Sequence, residues 1–260
     1  MKRLARLFRS RRGEPNLARV AVVGALRTGT NYLKFLLESN YFAQAEFNAF
    51  GWKHGGVPVL PAGGPASYPD LPLVYIVKNP FAFVLSLHRY HERKREQGHA
   101  ISLVGADAWE DFLVGPIEIF DSQLAGSPRM RFANPIQYWN FLYWNLETLD
   151  RLRFRVLGLN YERLVEAPEM LREVESIVPL VRRHEAIVTP RNHLRRLAGG
   201  PADARPEAYE TDDGFDPAYY TERRYLESFS DQQRAFVSSQ ADPWIMERRG
   251  YDFVQIPCRS

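Results

Sequence analysis

One run constrains this chain more than any other: Val20-Ala21-Val22-Val23-Gly24-Ala25-Leu26-Arg27-Thr28-Gly29-Thr30-Asn31-Tyr32-Leu33. It reads as a buried strand, a tight glycine-bounded loop and the first turn of a helix. Such a loop aims backbone N–H groups and the positive end of a helix at one point, which makes an anion site. Gly24, four residues, Gly29 and Thr30 nearly reproduce the spacing of a nucleotide-phosphate loop. That loop carries Lys directly after its second glycine and then Ser or Thr for magnesium. Here Thr30 and Asn31 fill those places, and the cation, Arg27, sits inside the loop. The loop still suits phosphate, but it is not built like that of an ATPase or GTPase.

The rest of the chain alternates strand and helix signals. Phe47 to Lys53 is aromatic and β-prone, and is expected to form a second strand ending at Trp52-Lys53-His54, with Gly55 and Gly56 breaking it. Leu73-Val74-Tyr75-Ile76-Val77 is a continuous apolar run, the pattern of a strand buried on both faces. Lys78-Asn79-Pro80 ends it, and Pro80 suits the first turn of a helix over Phe81 to Lys94. Phe154 to Leu159 reads as a further strand, followed by Tyr161-Glu162. Helices are expected over Tyr32 to Ser39, Ala108 to Leu113, Ile136 to Leu149, Pro168 to Ile177 and Ala218 to Gln240. The Ile136 to Leu149 helix carries Tyr138, Trp139, Phe141, Tyr143 and Trp144 on several faces, which suits core; a face lining a ligand pocket is the alternative. Residues 58–72 and 198–217 read as loops, and 98–134 as irregular apart from the short helix. This order predicts an α/β fold in three layers, with a mainly parallel central sheet and flanking helices. No repeat or linker divides residues 16–260, so one domain is expected after a basic tail over 1–15.

Composition narrows the class. With 45% hydrophobic residues in 260, the chain can bury a full core. The net charge of +3 comes from 34 basic and 31 acidic side chains, too even a balance to predict nucleic-acid binding. The single cysteine, Cys258, excludes an intrachain disulfide framework and a cysteine zinc cluster, and it fits a reducing compartment. Residues 1–12 hold Lys2, Arg3, Arg6, Arg9, Arg11 and Arg12 without the apolar stretch of about 7–15 residues that a signal peptide needs. No stretch approaches the ~20 apolar residues of a membrane span. A cytoplasmic protein with a solvated basic end is expected, and peripheral contact of that end with a membrane surface is the alternative.

Three strand ends therefore carry polar groups: Arg27-Thr28-Gly29-Thr30, Lys53-His54 and Lys78-Asn79. In open α/β sheets, ligands bind at the carboxyl ends of the strands, so these groups can converge. In this respect the chain resembles the sulfotransferases that use 3′-phosphoadenosine 5′-phosphosulfate (PAPS). Their first motif has the form Pro-Lys/Arg-Ser/Thr-Gly-Thr-Thr/Asn-Trp/Tyr, and residues 26–32 match it except that Leu26 replaces the proline. Their second motif, Arg-Asn-Pro with a serine farther on, is similar to Lys78-Asn79-Pro80 with Ser86. A Lys-x-His pattern between the two resembles Trp52-Lys53-His54. Tyr161-Glu162-Arg163-Leu164 is similar to a Tyr-Glu-Asp-Leu segment, and the Met246 to Tyr251 ending resembles that of bacterial members.

The resemblance implies a P-loop-like sulfotransferase fold and a role for each matched residue. Arg27, Thr28, Gly29, Thr30 and Asn31 would cradle the 5′-phosphosulfate, with Arg27 also stabilising charge on the bridging oxygen. Tyr32 would stack on adenine. Lys78 and Ser86 would hold the 3′-phosphate. Lys in place of Arg gives a point charge instead of a fork, so Arg191, Arg195 or Arg196 would add a second cation. His54 would be the general base towards a hydroxyl acceptor, first among them a sugar of a polysaccharide or glycolipid. Lys53, out of the usual register, is expected to point to solvent. Glu46, placed ahead of the second strand, is the alternative base. No metal is implied. Two other readings remain: a P-loop kinase or NTPase, and a catalytically silent nucleotide-binding scaffold.

Overall fold

In a computed structural model of the chain, residues 16–57, 70–99, 101–149, 154–189 and 216–252 are described. The basic tail, Arg191, Arg195, Arg196, Cys258 and most of the 198–217 stretch lie outside them. Strands β1 (Ala18–Val23), β2 (Ala43–Glu46), β3 (Leu73–Val77) and β7 (Val156–Asn160) form a wholly parallel sheet in the order β2-β1-β3-β7. Successive side chains along a strand point to opposite faces, and the two apolar cores follow that alternation. Ala21, Val23, Leu73, Tyr75 and Val77 face one core, while Val20, Val22, Val74 and Ile76 face the other.

Helices α2 (Pro80–Glu96), α4 (Pro135–Thr148), α7 (Asp231–Gln240) and α8 (Pro243–Arg248) pack on the first face. The second face is covered by α1 (Thr30–Asn40), α5 (Tyr161–Glu166) and a 3-10 helix, Pro168–Ser176. The result is a three-layer α/β arrangement. From β1 the chain passes through α1 to β2 on one side, then returns across β1 to β3 on the other. The crevice between the carboxyl ends of β1 and β3 is thus the switch point of the topology, where open sheets bind ligands.

Several sequence expectations need correction. The second strand is Ala43–Glu46, not Phe47 to Lys53, and it pairs Ala18 with Ala43 through Ala21 with Glu46. Ala43 and Ala45 are small enough to lie buried against α1, a packing choice that β propensity does not report. Glu46 therefore ends β2 instead of preceding it. Residues 98–134 hold an antiparallel sheet, β4 (Leu103–Val104), β5 (Ile117–Ile119) and β6 (Met130–Phe132), besides α3 (Trp109–Val114). Strands of two or three residues are too short to show a period. The expected helix over Ala218 to Gln240 is three pieces: α6 (Ala218–Thr221), a 3-10 turn over Arg224–Ser228, and α7. Ser230 restarts the chain through a capping box with Gln233. The Pro168 to Ile177 helix is 3-10 in form.

The last helix is tied to the sheet by a buried charge. Glu147, fully buried on α4, accepts from Arg248 and Arg249. Arg249 also donates to the Gly158 carbonyl at 2.9 Å and to the Tyr75 hydroxyl. A Cβ at Gly158 would fall 2.4 Å from the Arg249 guanidinium, so β7 needs a glycine there. Replacing Glu147 with Ala strands a half-covered arginine pair, and such losses cost about 3–5 kcal/mol. Glu147→Ala is expected to lower stability by that amount in chemical denaturation.

Candidate functional site

The β1–α1 loop is a turn with a stored strain. Thr28 N–H donates to the Ala25 carbonyl at 3.2 Å, and Arg27 at the third turn position has φ 69°. A positive φ at that position with Leu26 on the ordinary side is the pattern of a type II turn, in which glycine is the preferred third residue. A non-glycine residue there is held at a cost of about 1–2 kcal/mol. The conformation carries the Arg27 backbone outward and its guanidinium over the ring of Tyr90 on α2, 5.3 Å from the centroid. Thr28 turns inward, fully buried, and its hydroxyl donates to the Ala25 carbonyl at 2.8 Å. Gly29 then caps α1 at φ 101°, and a Cβ on it would meet the Tyr161 ring at 2.5 Å. No side chain caps α1 and no carboxylate stands in its first turn, so its N-terminal dipole faces the crevice uncompensated.

His54 lies against this loop, in a turn beyond β2. Its Nδ1 is 2.6 Å from the Gly24 carbonyl, and Gly24 N–H donates to the Lys53 carbonyl at 3.0 Å. A carbonyl only accepts, so Nδ1 carries the proton and Nε2 keeps its lone pair. Trp52 packs edge-on against the imidazole, with ring centroids 5.2 Å apart. Burial, and then the charges of Lys53 and Arg27, push the imidazole pKa down to about 3. His54 is therefore neutral across the physiological range.

Lys53 does not point to solvent. Its ammonium lies 3.3 Å from the centroid of the Phe47 ring and donates to Asn31 Oδ1 on α1 at 3.2 Å. Burial, with the nearby Lys34 charge, lowers its pKa to about 8. Lys78, at the end of β3, is buried with its ammonium 4.0 Å from the centroid of Tyr161 and 4.9 Å from that of Tyr220. Burial lowers its pKa, while the neighbouring Glu162 carboxylate works in the opposite direction. Glu162 is a structural partner: its oxygens accept from Asn79 N–H at 3.0 Å and from the Tyr251 hydroxyl at 2.9 Å. Asn79 caps α2 by accepting from Phe81 N–H, with Pro80 at the first helical position.

The remaining expectations fall out unevenly. Thr30 is buried at the start of α1 and Ser86 is half-buried on α2. Tyr32 is only 4% exposed and meets Tyr161 edge-on at 5.7 Å, so its ring is packed into the core instead of offering a stacking face. Glu46 pairs with Arg19 at 2.9 Å on the neighbouring strand, which turns it away from a role as base. The site residues that sequence reading missed are aromatic. Tyr90, Tyr161, Tyr219 and Tyr220 support cations, and Arg89 on α2 donates to the Tyr219 hydroxyl at 3.1 Å. A tyrosine near a cation in space leaves no spacing signal along a chain, although Tyr90 one turn beyond Ser86 was open to a helical reading.

Comparison of the chain with models of known protein families and with curated proteins found no match. Among the described residues, no helix is long and apolar enough to cross a membrane.

Two outcomes test this geometry. Arg27→Gly relieves the turn, so it is expected to raise stability by about 1 kcal/mol in chemical denaturation. His54 titrates near 3 when folded against 6.5 in the unfolded chain, so between those values the unfolded state holds more protons. Stability should therefore fall as pH drops below 6.5, by up to about 1.4 kcal/mol per pH unit. His54→Gln should show a shallower acid limb in denaturation at pH 4–7.

Proposed function

We propose that this protein is a sulfotransferase that moves a sulfuryl group from PAPS to a hydroxyl acceptor, on a P-loop-like sulfotransferase fold and in the cytoplasm. The observation that carries this reading is the union of base and anion loop. His54 and the Arg27 turn are joined through Gly24, whose N–H and carbonyl both bond the Lys53-His54 segment. The cations around them rest on aromatic rings, Arg27 on Tyr90, Lys53 on Phe47, Lys78 on Tyr161 and Tyr220, and Arg89 on Tyr219. Rings orient cations by their quadrupole and gather positive charge in one place, which suits a polyanion.

In the reaction, the α1 N-terminus, Arg27, Thr30 and Asn31 bind the 5′-phosphosulfate, while Thr28, buried with its N–H and hydroxyl both engaged by the Ala25 carbonyl, shapes the turn and does not reach the donor as the motif implied. Lys78, Ser86 and Arg89 surround the place for the 3′-phosphate. The acceptor oxygen attacks sulfur in line, its O–S bond forms, and the S–O bond to the 5′-phosphate breaks. The acceptor proton passes to Nε2 of His54. Charge left on the phosphate oxygen is met by Arg27. At rest the imidazole is a weak base, chiefly through burial, but Arg27, one of the charges that depress it, is among the groups that bind the donor. Neutralising Arg27 with a phosphosulfate works against that depression. Kinase chemistry fits less well, because β3 ends in Lys78 and Asn79 and the oxygens of nearby Glu162 are engaged.

Labelled sulfate should pass from PAPS into a panel of saccharides and simple alcohols. His54→Ala should lower the rate about 10²–10⁴-fold. Full activity in His54→Ala and Arg27→Ala would remove their roles. Binding of adenosine 3′,5′-bisphosphate without transfer would mark a silent binder, and magnesium-dependent ATP turnover a kinase.

A further inference from the structure

Helix α4 holds a group that belongs to neither the donor loop nor the base, yet touches both. The Tyr138 hydroxyl accepts from Leu26 N–H at 3.1 Å and donates to the His54 carbonyl at 2.9 Å. Leu26 is the residue before Arg27 in the strained turn, and His54 is the base itself. Tyr138 is fully buried, and burial raises its phenol pKa, so the hydroxyl keeps its proton. It therefore offers one donor and one acceptor in a fixed sense, and each is used. Phe83 and Phe132 pack beside the ring, at 6.1 and 5.3 Å between centroids, and hold its direction.

We propose that Tyr138 is the positioning residue that sets the register of His54 against the Arg27 turn, a role that rests on the sulfotransferase reading. The backbone ties of the Lys53-His54 segment to this loop run through Gly24, with Ala25 beside it, and the Lys53 ammonium reaches Asn31 beyond the turn. Gly24 and its neighbour thus carry the ties at one end of the loop, and the Lys53 tie runs through a long, flexible side chain. The phenol adds a rigid attachment on the far side of Gly24, joining the Leu26 and His54 backbones directly, and so narrows the orientations the His54 turn can take relative to Arg27. Reaction in line needs that orientation, and a displacement of about 1 Å is enough to lose around 10²-fold in rate. The anion loop itself has its own internal bonds, Thr28 N–H and hydroxyl to the Ala25 carbonyl. Losing Tyr138 should thus disturb the base more than donor binding.

Tyr138→Phe and Tyr41→Phe form the test. Tyr41 also loses one hydroxyl, which bonds Glu175 away from the site. Tyr138→Phe is expected to lower kcat about 10–100-fold, with KM for PAPS and affinity for adenosine 3′,5′-bisphosphate changed less than about threefold. The ring resonances of His54 should shift in NMR spectra of the unliganded protein, and Tyr41→Phe should leave both readouts in place. Should Tyr138→Phe fail to fold, Leu26→Pro deletes the same bond from the donor side. Proline is favoured at the second position of a type II turn, so the turn tolerates it, and the same His54 shift is expected. Unmoved His54 resonances, or a kcat loss no larger than that of Tyr41→Phe, would overturn the proposal. If the wild-type protein neither binds the bisphosphate nor transfers sulfate, the sulfotransferase reading fails. The NMR comparison still decides whether Tyr138 positions His54.

Discussion

The site depends on how α4 satisfies the backbone where the parallel strands stop. At those ends the ladder gives out, and a buried carbonyl or N–H left alone costs free energy comparable to a lost hydrogen bond. α4 supplies the partners from side chains that are apolar in body and polar at the tip. Tyr143 donates to the Ile76 carbonyl at 2.8 Å and Trp139 to the Lys78 carbonyl at 2.8 Å. Tyr138 bridges Leu26 and His54, and Asn145 meets both the N–H and the carbonyl of Val57. One rigid helix thus grips the ends of β1 and β3 and the His54 turn together. The residues that fill the core also place the chemistry, so core packing and site geometry are one problem in this fold.

The electrostatics follow from the same aromatic wealth. Arginines remote from the crevice, such as Arg129 and Arg131 with Glu118 or Arg182 with Glu175, have carboxylate partners. Around the crevice, rings stand under the cations as well, and the Glu162 carboxylate lies near Lys78. A ring orients a cation without cancelling its charge. The cost is mutual repulsion and desolvation, visible in the lowered pKa values of Lys53, Lys78 and His54. Perturbation of this kind, gathered at a switch point, marks a functional region.

Much of this frame was legible along the chain. The strand-loop-helix at Val20–Leu33 and the Leu73–Pro80 run stand as expected, because continuous apolar runs, Gly29 and Pro80 act locally. The aromatic helix is core on the face that carries Tyr138, Trp139 and Tyr143, while Phe141 and Trp144 on its other side are exposed, so the many-sided pattern overstated its burial. The reading failed where tertiary contact decides. Ala43 and Ala45 form a strand whose small side chains fit against α1, and Phe47 lies just beyond it with its ring under Lys53. Tyr32 matched a motif position yet is packed against Tyr161. The motif fixed which residue stands at that position, while the neighbours fixed which way it faces.

The Arg27 turn shows why a local rule breaks at such a place. Glycine would suit φ 69° without strain, and every other residue of the loop obeys its own preference. An arginine there persists only if the surroundings impose the turn, and they do so from both sides. Ala25 accepts twice from Thr28, and Tyr138 holds Leu26 N–H from the core. The C-terminal chain adds a third constraint from far along the sequence. The Tyr251 hydroxyl lies 2.9 Å from Glu162, which in turn accepts from Asn79 N–H at the end of β3. Contacts of such long sequence separation carry the loop-closure entropy of the chain between them. The Arg27 turn is therefore held by α4 as much as by its own loop.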